Sequence, residues 1–398
     1  MSLSNISKNI TKITIIRFLQ SFHLYIHAYA LILMARGLTL VQITALESIV
    51  IAVVFIMEIP TGVIADRLGR KWSITLAIIF MMSAETLFLF AESYAVYIVV
   101  SILTGTGFAF MSGAIEALVY DSLPLEGRED AMKQAMGSIN SWTRIAFFIA
   151  PICGALIMGD LAPARYIIAI ALTATALLIA VLVSFTLQDP KTDWEQDTPN
   201  SLQILREGIA ELGGNYQLKR LMLLVIFTSP FTSILIVTLG APYLAQNQVS
   251  PFMIGLSLSV GSLLGVFTQR YAYKFEQVLG QERAVWILLL LPGLMYWILA
   301  FVSGAIAPLI IIILMYGTND MKNPLFSAYQ NALIESKNRA TVLSLMSMFL
   351  HLFVAIVAPL YALIGTYSLS ITFMLMGTVI IIATLFLGVP KVAEGGES

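Results

Sequence analysis

Apolar runs of about 20 residues, the length a helix needs to cross a bilayer, recur along nearly the whole chain. They fall near 13–35, 41–62, 72–91, 95–119, 135–158, 164–187, 220–244, 252–271, 284–303, 306–330, 340–363 and 368–388. The pattern predicts an all-α membrane protein with twelve transmembrane helices. Loops as short as 92–94 and 304–305 force neighbouring spans to pack antiparallel. One break, 188–219, is longer and carries Asp189, Pro190, Lys191, Asp193, Glu195, Asp197 and Pro199. After the N-capping types Asn200 and Ser201, Leu202, Leu205, Ile209 and Leu212 fall on one helical stripe. That stripe predicts a helix lying on the membrane surface, ended by Gly213–Gly214. The expected organisation is a six-helix bundle over 1–187, a cytoplasmic linker over 188–219 and a second six-helix bundle over 220–398.

Composition agrees with lipid as the solvent. Of 398 residues, 59% are hydrophobic and 11% charged, where a soluble domain carries about 25% charged. A net charge of −1 gives no basic field for nucleic acid. The single cysteine, Cys153, leaves no intrachain disulfide and no cysteine-based metal site. The polar stretch 1–12 precedes an apolar run too long for a signal peptide, so the first helix is expected to stay as an anchor. With the N-terminus in the cytoplasm, only Arg36 and Arg165 of the 22 Lys and Arg fall at the outer face, and Arg144 and Lys322 inside spans. The other 18 lie in cytoplasmic segments or at inner helix ends, which predicts a bacterial-type plasma membrane protein with both termini cytoplasmic.

The halves repeat. Gly62, Asp66 and Arg67 after the second span correspond to Gly265, Gln269 and Arg270 after the eighth, an offset of 203 residues. Tyr120, Asp121 and Arg128 correspond to Gln330, Asn331 and Arg339, and Ala150-Pro151 to Ala358-Pro359. Three correspondences in one order predict two pseudo-symmetric six-helix halves.

The stretch 62–71 matches G-x-x-x-D-R-x-G-R-K at every fixed position, and in this it resembles the major facilitator superfamily. The resemblance implies a secondary transporter working by alternating access, with Gly62, Asp66, Arg67, Gly69, Arg70 and Lys71 forming a conformational latch between the halves. In that picture Gly62 admits a neighbouring helix, and Asp66 accepts hydrogen bonds from a facing helix N-terminus. Gln269 in place of the acid implies an asymmetric latch. In the fifth span Gly137, Ala146, Ala150, Pro151, Gly154 and Ala155 keep the spacing g-x8-G-x3-G-P-x2-G-G. This is similar to the drug:proton antiporters and implies export, with the fifth span packed closely against its counterpart. Ser101 stands where those antiporters carry an arginine in the fourth span.

Ionisable residues within spans are costly and tend to face a cavity. Here they are Arg17, His23, His27, Glu47, Glu58, Glu85, Glu116, Asp121, Arg144, Asp320, Lys322 and His351. The resemblance assigns the first, fourth, seventh and tenth spans to a central cavity. Its expected wall is Gln20, His23, His27, Ser101, Thr104, Ser112, Glu116, Thr228, Thr232, Thr238, Tyr316, Asn319, Asp320 and Asn323. Glu116 and Asp320 are the first candidates for proton coupling, unless each simply pairs with Arg144 or Lys322; His23 and His27 follow, as residues that titrate near neutrality. Glu58 is expected to support the latch. No metal set, phosphate loop or catalytic constellation is present, so no cofactor and no enzymatic activity are expected. The expected partners are a small-molecule substrate, protons and membrane lipid, and the expected state is a monomer. The reading these features favour is a proton-driven exporter of small amphiphilic compounds. The alternatives are an uptake carrier for a polar metabolite and a non-transporting membrane sensor or scaffold.

Overall fold

The computed structural model describes residues 3–123, 128–189, 213–334 and 339–389. Among them there is no strand. The expected surface helix over 202–212 lies outside the described residues, as does the side chain of Asp66. The first eight helices are α1 (Leu3–Ser21), α2 (Tyr29–Ala35), α3 (Leu40–Leu68), α4 (Arg70–Leu89), α5 (Tyr94–Met111), α6 (Ala114–Asp121), α7 (Arg128–Met158) and α8 (Pro163–Phe185). There follow α9 (Tyr216–Thr228), α10 (Pro230–Ile234), α11 (Gly240–Gln246), α12 (Pro251–Leu279), α13 (Gln281–Phe301), α14 (Ile306–Leu333), α15 (Arg339–Tyr367) and α16 (Leu369–Leu387).

By length and composition, 11 helical segments among the described residues are apolar enough to cross a membrane. The remaining long helix, α14, is the predicted tenth span; Asn319, Asp320, Lys322 and Asn323 make its middle polar. Three predicted spans are interrupted. The first breaks between α1 and α2, with a 3-10 turn at Ile26–Ala28. The fourth breaks at Ser112–Gly113, where Gly113 has φ +69°. The seventh breaks at Ser229–Pro230 and then passes through a π-helical turn, Leu235–Leu239. Such turns and breaks loosen the backbone ladder and recur at functional sites.

The chain divides into two compact units, residues 1–195 with 250–259, and residues 196–249 with 260–398. In the first unit small residues set the helix spacing, since lipid supplies no hydrophobic drive between helices. A Cβ on Gly105 would meet the Val50 carbonyl oxygen at 2.8 Å, and one on Gly107 the Met81 side chain at 2.7 Å. So α5 lies close against both α3 and α4. Ile13, Ile16, Ile74, Ile78, Leu118 and Ile139 form one packed cluster. Ile32, Ile43, Leu46, Phe88 and Tyr97 form another.

The small residues of the fifth span receive the first span. A Cβ on Gly154 would overlap the Leu24 carbonyl, so α7 seats the broken backbone of the first span. The freed Leu24 amide donates to Thr173 Oγ1 at 3.3 Å. Irregular backbone at membrane depth is tolerated where protein covers it, and Gly154 and Thr173 provide that cover. Residues 250–259, counted with this unit, lie on the same row: a Cβ on Gly255 would meet Ala155 Cβ at 2.6 Å and the Pro151 oxygen at 2.9 Å. Ser259 Oγ donates to the Phe148 oxygen at 2.8 Å.

Each unit is also fastened end to end. In the first, Lys12 Nζ donates to the Thr186 oxygen at 2.5 Å, just past α8. Asn9 Nδ2 donates to the Gln188 oxygen at 2.7 Å, and the Gln188 amide returns a bond to Asn9 Oδ1 at 3.2 Å. In the second, Arg220 Nε on α9 donates to the Leu387 oxygen at the end of α16. Helix C-termini expose unpaired carbonyls and a negative dipole end, which a basic side chain satisfies. Leu221, Leu224, Val285, Leu289, Tyr329 and Leu345 fill the second unit's core.

Candidate functional site

The break in the first span turns four polar side chains toward neighbouring helices of the first unit. Tyr25 Oη lies 2.7 and 2.6 Å from the two carboxylate oxygens of Glu85 on α4. His23 Nδ1 is 3.5 Å from Glu85 Oε1. Tyr29 hydrogen-bonds Glu47 on α3. Tyr25 stacks on Phe88 with ring centroids 5.5 Å apart, and Tyr29 lies 6.1 Å from the same ring. Arg36 closes this end: its Nη1 donates to the Phe88 oxygen at 2.8 Å, and its guanidinium lies over Phe88 and Tyr166. The Glu85 side chain is 12% exposed and that of His23 30%, so the pair is open on one side.

Chemically, this arrangement can hold a carboxyl group in either protonation state. A carboxylic acid donates when protonated and accepts when ionised, and a tyrosine hydroxyl and an imidazole can answer both forms. Sequence reasoning counted Glu85 and Glu47 among intramembrane acids but did not select them, and it passed over Tyr25 and Tyr29. The available signal was helical: Tyr25 and Tyr29 are four residues apart, and His23 and His27 likewise.

The other expected residues separate into several settings. His27 is buried, and both its ring nitrogens lack a partner among the described residues. Gln20 joins Arg17 and Met81: Arg17 Nη1 donates to Gln20 Oε1 at 2.7 Å and Gln20 Nε2 to Met81 Sδ at 3.2 Å. Glu116, exposed in the first turn of α6, acts electrostatically on Arg17. Ser101 is buried, Thr104 half-buried, and Ser112 exposed at the α5–α6 break. In the second unit Thr228 and Thr232 are buried beside the α9–α10 break. Asp320 packs its carboxylate on Gly265, and Tyr316 packs on Gly261. Asn319 is half-buried and Asn323 exposed. Of the fifth-span residues, Ala150 and Pro151 are buried, while no described atom lies within 4 Å of a Cβ on Gly137.

The loop over 62–71 also has its own geometry. Gly69 ends α3 with φ +96°, a conformation that side chains disfavour. Asp189, which follows α8, accepts from the Lys71 amide at 2.8 Å and so caps α4. Asp121 lies within electrostatic reach of Arg70, Arg128 and Asp189. Arg67 is exposed. No described atom lies within 4 Å of a Cβ on Gly62, so within this structure Gly62 admits no close neighbour. Gly69→Ala is therefore expected to cost about 1–3 kcal/mol, the scale of a strained backbone. Gly62→Ala is expected to be neutral or to gain about 0.5–1 kcal/mol, as for Gly to Ala inside a helix. Thermal unfolding of the two purified variants separates these outcomes.

The Major Facilitator Superfamily model matches residues 13–321. The chain belongs to this superfamily. This facilitator is 23% identical over 379 residues to an uncharacterized MFS-type transporter, YxaM, of Bacillus subtilis (strain 168), covering 92% of each chain. It is 22% identical over 267 residues to Multidrug resistance protein 2 of the same organism, covering 66% of this chain and 65% of that one. Among solved structures, the nucleoside transporter NupG superposes with a TM-score of 0.78 at 13% identity, over 95% of this chain and 98% of the other. A D-xylose-proton symporter superposes with a TM-score of 0.74 at 12% identity, over 98% and 99%. At such identities the likeness is one of fold. The facilitator is a multi-pass membrane transporter of small molecules and not an enzyme.

Proposed function

We propose that this facilitator is a proton-coupled exporter of small amphiphilic compounds, with Glu85 as the group that takes up and releases the proton. The observation that carries the reading is the Glu85 carboxyl held by Tyr25 and approached by His23 at the break in the first span. In the ionised form Tyr25 and His23 donate to it; in the protonated form the acid donates and the charge is gone. Loss of that charge removes a penalty for enclosing the site within the bilayer, and so links proton occupancy to which face of the membrane is open. The halves 1–187 and 220–398 rock about the linker 188–219, with Gly62–Lys71 as the latch, in a monomer whose other partner is lipid. Export is supported by the antiporter-like spacing from Gly137 to Gly154 and by the multidrug resistance proteins among the relatives. With both termini in the cytoplasm of a bacterial cell, Glu85 stands toward the outer end of the third span.

Inverted membrane vesicles with an acidic interior test this. Ethidium, a Hoechst dye and dansyl-labelled carboxylates serve as probes. At least one probe is expected to accumulate inside uphill, with protons leaving. Accumulation indifferent to the gradient sinks proton coupling, movement only in the opposite direction makes the protein an importer, and no flux of any probe favours a non-transporting role.

A further inference from the structure

Lys322 is the unusual charge of the second unit. It sits mid-way along α14 and is 6% exposed. Its ammonium makes one hydrogen bond among the described residues, to Ser229 Oγ at 3.3 Å, at the α9–α10 break. Asp320, two residues earlier, serves a different face: residues two apart on a helix are separated by about 200°, and the Asp320 carboxylate lies on Gly265 of α12. No described carboxylate pairs with Lys322. A buried ammonium is strongly disfavoured without a counter-charge, and a single neutral hydroxyl does not replace one.

The surroundings say what such a counter-charge would be attached to. Two aromatic pairs lie on the seventh span two residues to either side of Ser229, on the other face of the helix. Phe227 and Phe353 pack edge to face with centroids 5.3 Å apart, and Phe231 and Tyr361 at 5.4 Å. A buried cation held by a single hydroxyl in an apolar span matches a molecule with an apolar body and one acidic group. The Ser229–Pro230 break and the π-turn that follows give the seventh span room to adjust around it.

We propose that Lys322 and Ser229 receive the acidic group of the cargo, and that the cargo class is amphiphilic carboxylates. The inference rests on the transporter reading above and adds the chemical class. In the empty protein Lys322 is held by Ser229; on loading, the carboxylate replaces that contact and supplies the missing charge.

Calorimetric titration of the purified full chain with matched acid and amide pairs tests it. The probes are 3-phenylpropionate, 4-phenylbutyrate and indole-3-acetate, each against its primary amide. At least one acid is expected to bind about ten-fold or more tightly than its amide, the scale of a buried charge pair. Lys322→Gln is expected to erase that preference, and Lys322→Arg to keep most of it. The proposal is overturned if no acid outbinds its amide in the wild-type protein, a result that needs no variant to fold. It is equally overturned if Lys322→Gln discriminates as the wild type does. Acid-selective binding without proton movement in the vesicles would defeat the coupling reading and leave this one standing. Gradient-driven transport with no acid preference would do the reverse.

Discussion

Glu85→Gln is expected to abolish gradient-driven accumulation while the protein still inserts, folds and exchanges substrate. The glutamine amide fills the same volume and can bond Tyr25, so the aromatic stack of Tyr25 on Phe88 is kept. What is lost is the ability to change charge. Removing a positioned proton-transfer group commonly costs about a hundred-fold or more in rate, and uphill transport should fall on that scale. Counterflow, which needs no net proton movement, should persist. Two further variants sharpen the assignment. Tyr25→Phe removes the hydroxyl that reaches both carboxylate oxygens and should weaken coupling without ending it. Glu116→Gln should leave coupling intact, because the Glu116 charge faces Arg17 in this structure. Full uphill transport by Glu85→Gln would refute the proton assignment.

The second large effect is steric. Gly154→Ala places a methyl group on the Leu24 carbonyl, backbone that cannot rotate away. Overpacking of this kind costs typically 1–3 kcal/mol, and occasionally more; a backbone obstacle puts this site near about 3 kcal/mol. The Leu24 amide is also tied to Thr173, so the break cannot shift without losing that bond. Gly137→Ala, in the same motif, should be neutral, since no described atom lies within 4 Å of the new group. Thermal unfolding of the two variants side by side distinguishes close packing from a mere row of small residues; equal stability would contradict it. Because Gly154 seats the break that carries His23 and Tyr25, the variant should lose proton coupling along with stability.

The spans were readable because bilayer thickness imposes a length on each apolar run, and Gly62 to Lys71 was readable because its spacing matches position by position. The breaks were not. No proline or glycine marks residues 22–28, so local propensity left the first span whole. What opens it is Gly154, some 130 positions away, making room for one carbonyl. The same dependence on the break hid the Glu85 cluster. Glu85 gains its meaning from Tyr25 and His23, which reach it only once that break forms. Asp320 and Lys322 are close in sequence, but helical geometry puts them on different faces.

The end-to-end fastenings carry a consequence for biogenesis. Lys12 and Asn9 meet Thr186 and Gln188, so every contact of that circuit is present once the ribosome has delivered residue 188. The first half can lock its opening helix to its closing one while the second is still being translated. Arg220 and Leu387 repeat the arrangement in the half made last. Each half thus has its own completion step, set by the order of synthesis, and a quality-control protease that meets a nascent chain stalled in the linker would find a sealed bundle.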